Sequence, residues 1–564
     1  MKKISGSHAL LQALQKEGVD TIFGYPGGAI MPIYDALYDY KNTLRHILVR
    51  HEQGAAHAAE GYARLKGKPG LCMATSGPGA TNLITGIADA MCDSVPIVCI
   101  TGQVAAAHLG TDAFQEAPII GMVTPVTKWC YQITKTSEVP SIVAKAFAIA
   151  KSGRPGPVLI DITKNAQTDF FDFDEQETIK TNVSWSKKIL SPQATDIDQA
   201  AKLLNNAKRP FLLIGHGISI GKAEEALMQV AEKGNFPTAS TLLGLSSMPT
   251  THPLYMGMLG MHGNYSTNKL TNKADVIFAI GMRFDDRVTG TINTYAKQAK
   301  IIHVDIDKAE LNKVIPATLG IHADAKEFLE ALLPLLTPGN HAEWIEEFRM
   351  LERQEKEQVQ DAELFPEGKD ITMAEVVRML SNKTKGTAAI VADVGQHQMI
   401  AARYYEFERP DGYITSGGLG TMGFALPAAI GAKIADPARE VIAIAGDGSF
   451  QMNIQELGTI MQEKLPVKII ILNNEHLGMV RQWQELFFDK RYSAVDMKNP
   501  DFIKIAEGYG IAGEVVTERE ALGGALDRLL DSKVCYLLDI RVRKDENVFP
   551  MVPSGASIAD IRLS

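Results

Sequence analysis

The sequence predicts an α/β protein of three domains, each built on a mainly parallel sheet flanked by helices. Three observations predict it. Short β-branched runs alternate with longer helical patterns along the chain, the rhythm of βαβ units. The runs are continuously apolar, as in strands buried on both faces. Two polar stretches, 165–192 and 338–370, break the pattern into blocks of similar size. The 564 residues suit three to four domains at about 150 residues each. Domains are expected at 1–168, 190–340 and 368–550, with a tail at 551–564.

In the first block, strands are expected at 21–23, 46–49, 70–75, 97–101 and 158–162. The middle block offers 211–215, 276–280 and 301–305, and the last block 388–391, 441–445, 468–473 and 535–541. Tyr413-Ile-Thr-Ser416 reads as a poor strand, and 165–192, containing Ser191-Pro192, as a linker. The mixed-charge run from Trp344 to Lys356 reads as a helix with a solvated face.

The net charge of −9 argues against nucleic acid as a partner, because phosphate neutralisation needs a basic footprint. No apolar run is long enough to span a membrane, and the N-terminus lacks a signal or transit pattern, so a cytoplasmic protein is expected. Five cysteines without a CxxC pair are expected as reduced thiols.

Gly446-Asp447-Gly448-Ser449 follows one expected strand, and Asn473-Asn474 ends another. Asp447 and Asn474 are 27 residues apart, the spacing of neighbouring parallel strands joined by a helix, so both emerge at one carboxyl edge. A carboxylate and an amide oxygen there suit Mg2+ with diphosphate oxygens, while Gly446 and Gly448 let backbone amides approach phosphate. Each half alone reads as ordinary structure, Gly-Asp-Gly as a tight turn and Asn-Asn as a helix cap. The pair at this spacing is the informative signal.

Arg50-His51-Glu52 opens a helix pattern rich in Ala and Gly. On these residues alone, Glu52 reads as an acid favoured in a first helical turn. Tyr25-Pro26-Gly27 and Thr75-Ser-Gly77-Pro78-Gly79-Ala-Thr-Asn82 read alone as capped turns. His51, His57 and His108 have no partner at metal-ligand spacing, so packing or surface roles are expected. In the middle block, Arg283 and Arg287 bracket Asp285-Asp286 at a strand end. Such a turn can neutralise a diphosphate and take sugar hydroxyls, or form a self-paired surface cluster. Gly418-Leu-Gly420-Thr-Met-Gly423 fits a GxGxxG pattern, but the poor strand before it argues against a dinucleotide site there.

The GDG and NN pair resembles the signature of the thiamine-diphosphate enzyme superfamily. Nearly the whole chain resembles the FAD-containing acetohydroxyacid synthase (acetolactate synthase) catalytic subunits. The resemblance rests on Gly281-Met-Arg-Phe-Asp-Asp-Arg-Val-Thr-Gly290, Gly110-Thr-Asp-Ala-Phe114-Gln115-Glu116, Ser152-Gly-Arg154-Pro, Gly478-Met479-Val-Arg-Gln-Trp483 and Pro550-Met-Val-Pro-Ser-Gly555. It implies the thiamine-diphosphate enzyme architecture, with pyrimidine-binding, FAD-binding and diphosphate-binding domains and a capping tail.

By that resemblance, Glu52 activates thiamine diphosphate, and Tyr25, Pro26, Gly27, Pro78, Asn82 and Gln115 surround its pyrimidine. Met422 wedges beneath its two rings. Gly395, Gln396, His397, Gly420, Gly446, Asp447, Gly448, Ser449, Asn474, His476, Gly478 and Met479 surround the remainder. Asp447, Asn474 and the main-chain oxygen of His476 hold Mg2+. FAD, largely structural in this family, is expected against Arg154, Gly215, Gly217, Thr241, Leu242, His262, Gly281, Arg283, Asp285, Arg287, Asp305, Ile306, Asp324, Gly417 and Gly418. Phe114, Gln115 and Lys164 line the substrate channel, and Trp483 meets the second substrate's alkyl group, though it reads equally as a packed aromatic.

The implied reaction decarboxylates pyruvate and joins the fragment to pyruvate or 2-oxobutyrate, in branched-chain amino-acid biosynthesis. Partners implied are a second copy of the chain, as a homodimer or dimer of dimers, and a small regulatory subunit. Three departures from the family pattern stand out. Gln103-Val104-Ala105 lacks a usual proline, Glu475-His476 follows Asn474, and one residue differs in length between Gly28 and Glu52. A flavin-dependent 2-oxoacid oxidase and a catalytically silent cofactor-binding protein are the rival readings.

Overall fold

The computed structural model describes residues 2–173 and 190–564. Three six-stranded sheets, parallel throughout, carry the chain. The first runs, edge to edge, Arg45–Leu48, Thr21–Gly24, Gly70–Ala74, Ile97–Gln103, Val158–Thr163 and Trp129–Ile133. The third runs Tyr413–Thr415, Ala389–Ala392, Val441–Gly446, Lys468–Asn473, Tyr536–Arg541 and Ala512–Val516. Counted within each sheet, both orders are 2-1-3-4-6-5, so the first and third sheets repeat one topology. The middle sheet, with strands between 210 and 322, has the order 3-2-1-4-5-6 of doubly wound dinucleotide-binding folds.

These orders matter because a crevice opens at the carboxyl ends wherever the winding direction reverses. In the first sheet that point lies between Thr21–Gly24 and Gly70–Ala74, and in the third between Ala389–Ala392 and Val441–Gly446. In the middle sheet it lies between Pro210–Ile214 and Val276–Ile280. Each crevice is thus entered by a turn that the sequence marks with glycine.

The strands that sequence reading missed are short and mostly lie toward sheet edges. Trp129–Ile133 and Ala512–Val516 are only partly buried, so neither shows an apolar run. Tyr413–Thr415, expected to be a poor strand, is fully buried and pairs with Ala389–Ala392. The expected linker also needs correction. Its described first part forms the helix Lys164–Thr168 and the strand Phe170–Phe173, which pairs antiparallel with Lys2–Ser5, while 174–189 fall outside the described residues. The charged helix Ala342–Glu355 has a solvated face but turns Trp344, Phe348 and Glu355 inward. There Glu355 pairs with the equally buried Arg403 at 2.7 Å. No helix among the described residues is long and apolar enough to cross a membrane. All five cysteines are free thiols.

The first and third sheets are joined by the crossing of helices Glu52–Lys66 and Ala425–Ala435. His51 caps the first helix by accepting the Gln53 amide at 3.1 Å, and Gly67 ends it with φ 68°. The helices approach through missing side chains. A Cβ on Gly61 would fall 2.0 Å from the Ala428 oxygen, and one on Gly431 1.8 Å from the Ala58 oxygen. Beside this crossing lies a buried polar cluster. His57 Nδ1 sits 2.9 Å from Glu60 and 3.7 Å from Asp89, which corrects the expectation that it has no partner at metal-ligand spacing. Ser416 donates to Asp89 at 2.6 Å, while Asp93 pairs with Arg64 and accepts the Gly417 and Gly418 amides at 2.8 and 2.7 Å. Burial pushes the Asp89 carboxyl up to about 8, with Glu60 and Asp93 adding repulsion, and raises Glu60 as well.

Two outcomes follow. Gly431→Val forces the helices apart and is expected to cost about 3 kcal/mol, read as a lower urea midpoint; an unchanged midpoint refutes the close approach. Unfolded Asp89 ionises near 4, whereas the folded group holds its proton to about 8. The native state therefore binds the extra proton between those values, and its stability falls as pH rises through that window. Asp89→Asn should flatten this part of the profile, and an equally steep decline would refute the assignment.

Candidate active site

Two adjacent strands of the third sheet, paired with Gly446 opposite Leu472, end in Asp447 and Asn474. On the other side of the crevice the chain leaves Ala389–Ala392 and turns through Gly395, at φ 151°, into the helix Gln396–Tyr404. Gly446 is required by crowding, since a Cβ there would meet the His397 ring at 2.8 Å. Asp447 is only 1% exposed, and burial raises the pKa of its carboxyl group. No cation pairs with it among the described residues; its Oδ2 accepts from Asn499 at 2.6 Å. A buried carboxylate of this kind, on the same cavity wall as Asn474, fits a divalent cation. His397 Nε2 is buried without a partner, leaving one ring nitrogen for a ligand.

This crevice opens into a cavity of about 1740 Å³ that continues to the carboxyl end of the middle sheet. The volume exceeds what one small ligand fills, so two groups can share it. The third sheet and its loops line it with Gly395, Gln396, His397, Gly417, Gly418, Gly420, Met422, Gly446, Asp447, Gly448, Ser449, Asn474, His476, Gly478, Met479 and Trp483. From the middle sheet come Gly217, Thr241, Leu242, His262, Gly281, Arg283, Asp285, Arg287, Asp305, Ile306 and Asp324, joined by Arg154.

Gly215 does not line the cavity. It stands behind the wall, where a Cβ would meet the Gly281 oxygen at 2.3 Å, so it serves the packing of the two turns. The other details fit a dinucleotide in the middle crevice. Gly281 has φ 59°, Asp285 accepts the Val288 amide at 3.0 Å, and His262 Nδ1 is buried without a partner. Burial pushes Asp305 up to about 6. The tail closes this end: Val552 donates to the Met261 oxygen at 2.8 Å, and Gly290 bridges to Ser557.

The first sheet gathers its own group, none of it on this cavity's wall. Asn82 donates to Glu52 at 3.0 Å, and Cβ positions built on Gly79 and Gly27 lie 3.3 Å from Glu52 and 2.5 Å from Thr75. Gln115, at φ 60°, packs over Gly77. Tyr25 and Pro26 lead into this turn, and Pro78 opens the short helix Pro78–Asn82. Glu52 is buried, Lys164 is exposed and Phe114 is 87% exposed. The structure therefore shows two constellations, one around Glu52 and one around Asp447.

Sequence reading missed three residues. Asp393 accepts the amides of Gly423 and Ala425 at 2.9 and 3.0 Å and so shapes the loop carrying Met422. Asn499 bridges Asp447 to Asn473, and Gln482 is buried behind Gln396. Asn499 precedes a proline and reads as a turn, so nothing local marks it. The His476 ring is spent on its own loop, 2.8 Å from the Asn474 oxygen and 3.0 Å from Asp496.

Twin sheets with metal-fitting and acid-bearing crevices define a thiamine pyrophosphate enzyme, and the sequence families agree. The N-terminal TPP binding domain of thiamine pyrophosphate enzymes matches residues 4–122, their central domain 197–332, and their C-terminal TPP binding domain 393–540. The chain is 46% identical over 560 residues to the acetolactate synthase isozyme 2 large subunit of Escherichia coli, covering 99% of each. It is 44% identical over 578 residues to the acetolactate synthase large subunit of Corynebacterium glutamicum, covering 100% of this chain and 90% of that one. It is also 44% identical over 565 residues to the probable acetolactate synthase large subunit of Methanocaldococcus jannaschii, covering 99% and 95%. The chain belongs to the acetolactate synthase large-subunit family.

Proposed function

We propose that this chain decarboxylates pyruvate and joins the remaining fragment to a second 2-oxoacid, giving 2-acetolactate from pyruvate and 2-aceto-2-hydroxybutyrate from 2-oxobutyrate for branched-chain amino-acid biosynthesis. One observation carries the reading. Asp447 and Asn474 stand on adjacent strand ends at a switch point, with Met422 and Trp483 on the same cavity wall.

Thiamine diphosphate, when bound, supplies an electron sink for loss of the pyruvate carboxylate. The chain's own residues orient it. Gly446 and Gly448 keep the crevice free of side chains, while Asp447, the Asn474 amide oxygen and the His476 main-chain oxygen would hold Mg2+ against the diphosphate. Glu52 would hold a proton at the pyrimidine ring nitrogen, and Asn82 fixes its carboxyl group. FAD would occupy the middle crevice between Arg283, Arg287 and the turns at Gly217 and Gly281, as a structural group.

Within one chain, the Glu52 constellation does not line the Asp447 cavity. That supports a site completed by a second copy of the chain, with a dimer as the minimum active unit. The relatives' designation as large subunits supports a smaller partner as well. The exposed Phe114 and Lys164 would then line the channel, where Lys164 gives the pyruvate carboxylate a local cation on an acidic protein.

Purified protein given pyruvate, Mg2+, thiamine diphosphate and FAD should form acetolactate without bleaching its flavin. Rapid bleaching would favour a 2-oxoacid oxidase. Glu52→Gln should lose most activity, by at least about 100-fold, while remaining folded; full activity would remove Glu52 from the mechanism. Trp483→Leu should reduce preference for 2-oxobutyrate by about 10-fold, since a single methylene is worth about 1–3 kcal/mol, and an unchanged product ratio would refute the contact.

A further inference from the structure

From Asn474 and Gln396 on the cavity wall to Gln482 behind it, three side-chain amides run in a line from the proposed metal site to segment 546–551. Asn474 Nδ2 donates to Gln396 Oε1 at 3.3 Å. Gln396 Nε2 donates to Gln482 Oε1 at 3.1 Å and to the Glu546 main-chain oxygen at 2.7 Å. Gln482 Oε1 accepts the Val548 amide at 2.8 Å, and its Nε2 donates to the Val548 oxygen at 3.1 Å and the Met551 sulfur at 3.5 Å. Gln482 is fully buried, one residue before Trp483.

The direction of this line is forced. A side-chain amide can be turned end for end, exchanging donor and acceptor. A main-chain N–H can only donate and a main-chain carbonyl can only accept. Val548 presents one of each to Gln482, which fixes Gln482. Gln482 and the Glu546 carbonyl then both demand donors from Gln396, so its oxygen must face Asn474. Asn474 must answer with its nitrogen, which leaves its oxygen as the acceptor, taking the His476 amide at 3.2 Å. Gly478 belongs to the same device. A Cβ there would fall 2.0 Å from Gln396 Oε1 and 2.8 Å from Asn474 Nδ2, inside the line of amides.

We propose that Gln482 is a positioning residue for the metal site: docking of segment 546–551 onto it orients Gln396 and, through Gln396, turns the oxygen of Asn474 toward the cation. This rests on the reading of Asp447 and Asn474 as metal ligands. Coupling is reciprocal, so cation binding also strengthens the seating of that segment. Outer partners of this type set ligand orientation and influence affinity by about 10–100-fold.

The test is Mg2+ binding by titration calorimetry with thiamine diphosphate present, on the full-length protein. Gln482→Met keeps the volume but not the hydrogen bonds. Expected is an affinity about 10–100-fold weaker than wild type, with kcat largely restored at saturating Mg2+. Gln396→Met should show the same loss, and the double variant little more than either alone, because the two act in series. Mg2+ should slow hydrogen exchange at 546–551 in the wild type but not in Gln482→Met. A folded Gln482→Met that binds Mg2+ within about twofold of wild type, or losses that simply add, overturns the proposal. If Gln482→Met does not fold, Gln482→Glu, which keeps the acceptor but loses the donor, is read by the same criteria. Wild-type protein that binds no Mg2+, or Asn474→Ala that binds it normally, overturns the metal-site reading itself.

Discussion

The site depends first on the contact of two helices with almost no side chain between them. Glu52–Lys66 begins with the proposed proton-holding residue, and Ala425–Ala435 begins just after the loop that carries Met422. Gly61 and Gly431 let each backbone lie against the other's carbonyl oxygens. That contact sets where both helix starts stand within a chain, and so how far apart its two constellations are held. The buried cluster of His57, Glu60, Asp89 and Asp93 lies along the same seam and ties it to Ser416, Gly417 and Gly418. Such buried carboxyls remain acceptable because protons, Arg64 and backbone amides answer them.

Topology does the second part of the work. A parallel sheet sends all its carboxyl ends one way, and a reversal of winding leaves a gap there with no helix over it. The chain uses that gap three times. The first and third sheets share one strand order, yet one turn presents an acid and the other a metal-fitting pair. The middle sheet uses the dinucleotide order, and its crevice opens into the third sheet's crevice as one cavity. Neither crevice needs a basic surface. Arg154, Arg283 and Arg287 line the cavity, a local set of cations on a chain of net charge −9.

Much of this was legible in the residues. Fully buried strands such as Val441–Gly446 and Lys468–Asn473 advertise themselves as unbroken apolar runs, and the motif residues sit just after them. Trp129–Ile133 and Ala512–Val516 were not legible, because a partly solvated strand needs no continuous apolar sequence. Tyr413–Thr415 reads as a poor strand from its few residues, and its pairing with Ala389–Ala392 makes it one. Asn499 and Gln482 carry no local signature; an amide becomes informative only when its neighbours are known.

By itself, then, the sequence determined the alternation of strand and helix, the glycine turns after the strands, and the placing of Asp447 and Asn474 just after two strands. These are local properties, set by backbone freedom, side-chain type and spacing within one βαβ unit. Only the tertiary structure decided the strand orders, the union of two crevices into one cavity, the separation of Glu52 from Asp447 within a chain, and the orientation of Asn474 through Gln396 and Gln482. Those depend on contacts between residues tens to hundreds of positions apart, where no local periodicity records which groups will meet.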